Sequence, residues 1–108
     1  MLGGVVVIAR MSRAWTASWD ADAYSAHLLT TTVPQLQQAP GNLAAYLLRR
    51  AANDDCTEFA ILSLWTSMDA VRAIAGEDVE QVEPHPEDAR FLVHPDPSVV
   101  HYEIAEMS

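Results

Sequence analysis

A chain of 108 residues has room for one hydrophobic core and not for two, so a single domain spanning residues 1–108 is expected. Fifteen acidic residues against six basic ones give a formal net charge of −9. That field repels phosphate backbones and anionic lipid, which excludes nucleic acid and membrane surfaces as expected partners. Half of the residues are hydrophobic, too many for a disordered chain.

Val5–Met11, rich in β-branched residues, reads as the first strand. It is too short to span a bilayer, and the small residues of a signal-peptide cleavage site do not follow it. With Cys56 as the single cysteine, no internal disulfide can form, and a cytoplasmic location is expected. Ser12–Ser18 reads as polar and irregular. Asp20 is then placed to cap a helix whose Tyr24, His27, Leu28 and Thr31 share one face. Pro34 predicts a kink or restart before that helix ends near Ala39, and Pro40-Gly41-Asn42 marks a turn.

Leu43–Arg50 and Thr57–Trp65 read as two strands of a hairpin joined through Asn53-Asp54-Asp55. In the second, Phe59, Ile61, Ser63 and Trp65 point one way and Ala60, Leu62 and Leu64 the other. Both sets are mainly apolar, which predicts a central strand covered on both sides, one side by helices and the other by a second sheet. Thr66-Ser67-Met68-Asp69 opens a second helix as a near capping box, with the acid placed to reach back, and Gly76 ends it. Glu77–Arg90 reads as acidic surface turns. Val99–Ala105 is the last strand. The order strand, helix, strand, strand, helix, strand is an α+β, ferredoxin-like βαββαβ arrangement with a four-stranded antiparallel sheet.

The sequence contains no G-x-S-x-G, no phosphate-cradling glycine loop and no G-x-G-x-x-G, so hydrolase and nucleotide-dependent readings lack support. His85 with Glu83, Glu87 and Asp88 offers metal-ligand atoms, but flanking prolines prevent a helical ligand pair, and a solvated acidic surface is expected there. Trp65, with Phe59, Ile61 and Ser63, would line an apolar pocket able to stack a planar substrate, or else is an ordinary core tryptophan at a strand end. Tyr24 and His27 would face it from the first helix, His27 as a base. Arg10 and Arg49 stand on strands, where either can hold an enolate or carboxylate through charge-assisted hydrogen bonds or form a strand-edge or interface ion pair with the abundant acids.

The ordered set Pro40-Gly41-Asn42, Leu47-Leu48-Arg49-Arg50, Leu64-Trp65-Thr66-Ser67-Met68, Ala75-Gly76-Glu77-Asp78, Pro86-Glu87-Asp88 and His101-Tyr102-Glu103 resembles the antibiotic-biosynthesis-monooxygenase family. The Trp-x-Ser element at a strand end is the best single marker. The resemblance implies a dimeric α/β barrel, a homodimer with sheets packed face to face and a pocket between helices and sheet in each subunit. It further implies a cofactor-independent, monooxygenase-like enzyme for a hydrophobic aromatic or polyketide-type molecule, with secondary metabolism as its setting, no cofactor and no metal. Haem-degrading relatives use an Asn on the first strand, the Trp and a His soon after it; only Trp65 is matched here. The Asn that polyketide oxygenases place four residues before the Trp corresponds to Ile61. The alternative reading is a non-catalytic small-molecule-binding or pathway-accessory dimer of the same fold.

Overall fold

The computed structural model describes residues 7–79, 91–94 and 99–105, with the backbone alone described at 92–94. Strand β1 (Ile8–Ala17) leads through a short 3-10 turn at Ser18–Asp20 into helices α1 (Ala21–Thr30) and α2 (Thr32–Gln38). The hairpin strands β2 (Asn42–Ala51) and β3 (Cys56–Trp65) follow, then helix α3 (Met68–Ala75) and the strands β4 (Leu92–His94) and β5 (Val99–Glu103). All pairings are antiparallel, with β3 between β2 and β1. The far edge of β1 is shared: β5 pairs with Ile8–Ser12 and β4 with Trp15 and Thr16. The sheet therefore has four strand positions, the last filled by two short strands, as the ferredoxin-like reading expects.

The first strand is longer than Val5–Met11 predicts at its C-terminal end, since pairing with β3 continues to Ala17 opposite Cys56. Polarity concealed this half, because its inward side chains, Ser12, Ala14 and Thr16, are small. Small residues there allow α1 to lie close: Ala14 packs against the cluster of Ala21, Tyr24, Leu28, Phe59 and Phe91. Asp20 does precede α1, but its carboxylate makes no capping hydrogen bond; its backbone is already near-helical at φ −97°, ψ −3°. The helical restart falls at Thr31, three residues before Pro34, and leaves that proline in the first turn of α2, where its missing N–H has no partner to lose. At α3 it is Ser67 that caps, its Oγ accepting from the Ala70 N–H at 3.1 Å, while Asp69 accepts from Arg72 instead of reaching back. Gly76 ends α3 at φ +88°, as expected. Residues 80–90, including the His85 cluster, lie outside the described residues.

Alternation along β3 separates two faces. Phe59, Ser63 and Trp65 are buried beneath the helices; on the other side Ala60 is buried and Leu62 and Leu64 are half-buried. The helix side holds two packed clusters. One is the Tyr24 cluster already given; the other joins Ile8, Trp65 and Val71, with Met68, Ile74 and Leu36 around them. No described helix covers the outer side, where Tyr46, Leu48, Val100 and Tyr102 are all at least 40% exposed. None of the helices among the described residues is long and apolar enough to cross a membrane.

Candidate functional site

The candidate residues of the sequence divide between the two ends of the helix-side face. Tyr24, His27, Phe59 and Arg49 gather at one end. The Tyr24 ring meets Phe59 edge-on at 5.0 Å and Phe91 at 5.2 Å, and His27 lies 5.6 Å from Phe91 at a tilted angle. The Arg49 guanidinium sits 5.4 Å from the centroid of the Phe59 ring and donates to Asp22 at 3.1 Å. Phe91 is pinned in this wall by Thr16, whose buried hydroxyl donates to the Phe91 carbonyl. Tyr24 and Phe59 are buried and His27 is half-buried, so the imidazole stands at the margin of the aromatic cluster.

Trp65, Ser63 and Arg10 occupy the other end. Trp65 has no exposed surface, and its indole N–H donates to Ser63 Oγ at 2.9 Å. Arg10 stands opposite Ser63 in the β1–β3 register and opposite His101 in the β1–β5 register. Its Nη1 donates to the Val79 carbonyl at 2.8 Å and lies 2.9 Å from His101 Nε2. An arginine can only donate, so the imidazole accepts in this contact. Burial lowers the Arg10 pKa, because a guanidinium loses hydration there.

Between the two ends runs the cross-strand row Ser12, Ile61 and Leu47, each half-buried. From Arg10 to Ala14 along β1, and from Ser63 to Phe59 along β3, the separation is four residues, or about 13 Å. Ile61 and Leu47 pack against the aromatic cluster at one end of this face, and a cation with an imidazole stands at the other. Such an arrangement suits a flat apolar molecule carrying a polar end. Phe91 is the member that reading the sequence missed. Alternation sets His101 opposite Tyr102 in facing, but only the strand register brings it to Arg10. Among the described residues no group of His, Cys, Asp and Glu is placed to hold a metal ion.

No family model matches the chain and no curated protein matches it in sequence. Solved structures do. A Caulobacter crescentus protein described as a candidate antibiotic biosynthesis monooxygenase superposes with a TM-score of 0.67 at 18% identity, over 94% of this chain and 92% of its own. A Nitrosomonas europaea protein of unknown function gives 0.66 at 16% identity over 98% and 96%. A Streptomyces coelicolor monooxygenase, solved with nanaomycin D bound, gives 0.61 at 18% identity over 96% and 91%. The chain therefore has the fold of the antibiotic-biosynthesis-monooxygenase-type proteins along nearly its whole length.

Proposed function

We propose that the protein is a homodimeric, monooxygenase-like enzyme that acts without a cofactor on a hydrophobic aromatic or polyketide-type molecule bound over the Ser12–Ile61–Leu47 row. The observation that carries this reading is the aromatic wall of Tyr24, Phe59 and Phe91, with His27 at its margin, standing beside a half-covered floor. The monooxygenase from Streptomyces coelicolor, solved with a ligand on the same fold, supports it.

In this reading His27 removes a proton from an acidic ring or benzylic carbon, and a neighbouring guanidinium holds the oxyanion that results. The carbanion passes electrons to dioxygen. One oxygen atom becomes the carbonyl of the product and the other leaves as water, so a ring CH2 is exchanged for C=O. The exposed outer face of the sheet is covered by the same face of a second copy, in a two-fold arrangement that leaves both helix-side sites accessible. A cytoplasmic location belongs to the same proposal, resting on the free thiol of Cys56.

The binding-only alternative also draws on a specific observation. Trp65 is sealed in the core with its N–H engaged by Ser63, so no edge of it is presented to a ligand. Oxygen uptake separates the two readings. In metal-free and flavin-free buffer with a 1,8-dihydroxyanthrone-type substrate, the enzyme reading expects uptake above the spontaneous rate, quinone product, and loss of the excess in His27→Ala. Uptake equal to the spontaneous rate, with the compound bound, would establish the binding-only dimer.

A further inference from the structure

Arg10 differs from the other arginines among the described residues in the partners it has. Arg49 pairs with Asp22, Arg50 with Glu58 and Arg72 with Asp69, while Arg13 lies 5.8 Å from the Trp15 ring at the solvent-facing side. Arg10 is half-buried, and among the described residues no carboxylate is within ion-pair distance of it. In a chain of net charge −9 a half-buried cation with no carboxylate partner among the described residues is unexpected, since desolvating a guanidinium is unfavourable unless an anion compensates.

The geometry of its bonds says which edge is left. Nη1 carries two hydrogens, and its two contacts, the Val79 carbonyl and His101 Nε2, account for both. Nε and Nη2 have no partner among the described residues. That pair of nitrogens forms the side of a guanidinium that takes a carboxylate by two parallel hydrogen bonds. Ser63, across the register from Arg10, is buried and accepts from Trp65. Glu103, two residues along β5 from His101, is exposed and stands opposite Ile8, not Arg10.

We propose that Arg10, fixed by Val79 and His101, is the anion-holding end of the helix-side site, and that the ligand is an elongated aromatic carboxylic acid. The inference rests on the helix-side binding reading above and adds the substrate class to it. The acid group lies at Arg10 and the ring system crosses the Ile61 row to the Tyr24–Phe59–Phe91 wall, a span of about 13 Å set by four strand residues. Arg49, beside Phe59, is then the guanidinium left for the oxyanion.

The test is a fluorescence titration of the intact protein with anthracene-2-carboxylate and, separately, with its methyl ester, which keeps the rings and removes the charge. The proposal expects the acid to bind at least about tenfold more tightly than the ester, the usual scale for hydrogen bonds to a charged group. In Arg10→Gln the acid loses that advantage and the two compounds bind alike. If the unsubstituted protein binds both equally, the anion end is overturned and the helix-side ligand site survives. If it binds neither, both fall. The acid–ester comparison decides even should the variant fail to fold.

Discussion

Ser63 and Trp65 form a side-chain hydrogen bond from which water is excluded, since 1% of Ser63 and none of Trp65 is exposed. Replacing Ser63 with Ala leaves the indole N–H without an acceptor inside the core. We expect the variant to lose about 1–3 kcal/mol of unfolding free energy in a urea titration. Gly41 is a second sensitive point. It has φ +84°, and a Cβ added there would meet the Ala70 Cβ at 2.5 Å, so the turn after α2 and the start of α3 approach too closely for any side chain. Gly41→Ala combines left-handed strain with overpacking and should cost about 2–4 kcal/mol, read from the same titration. At this scale the sequence was legible where a residue type is rare in its setting: an arginine on a buried strand, a tryptophan at a strand end, a glycine in a turn. It was not legible for Phe91, nor for the partner of His101. Their importance comes from residues about 75 and 91 positions away, Thr16 and Arg10, and no local pattern records such a meeting.

At the scale of elements, alternation gave the faces of β3 correctly, and with them the side on which Phe59, Ile61, Ser63 and Trp65 lie. Its failure on β1 has a physical cause. The strand exchanges large inward residues for small ones after Met11 so that α1 can seat Tyr24 and Leu28 against the sheet, and small or polar inward residues look like a loop in one dimension. The end of α3 nearer the turn shows which local signals carry energy. Ser67 supplies the cap, so Ser67→Ala should lower stability by about 1 kcal/mol. Asp69 pairs with Arg72 in solvent, with its own side chain 93% exposed, and Asp69→Asn should change the urea midpoint by less than the equivalent of about 0.5 kcal/mol. The capping box inferred from spacing assigned the acid a role that the ion pair has taken instead.

The whole molecule is a sheet with two unlike faces. Its helix side carries the two clusters and the half-covered row between them. Its outer side offers Met11, Tyr46, Leu48, Leu62, Val100 and Tyr102 to solvent in one continuous band, with a shallow groove of about 420 Å³ running beside Arg13 and Arg50. A band of that kind is the surface that the proposed dimer would bury against a matching sheet. Introducing charge at its centre, as in Leu48→Glu with Tyr46→Glu, should yield folded monomers by far-UV circular dichroism and gel filtration, because both side chains are already exposed within one subunit. Sequence patterning revealed that β3 is apolar on both sides; it could not reveal what covers the second side, which in the proposed dimer is another molecule.

The measurement that bears most directly on this account is the mass in solution at micromolar concentration by sedimentation equilibrium. A species of twice 11.9 kDa, reduced to a single chain by the Leu48→Glu, Tyr46→Glu pair, is the expected result. A stable, folded species of 11.9 kDa in the unsubstituted protein would contradict it, for the apolar outer face would then stand in water and the two-sheet barrel would not exist.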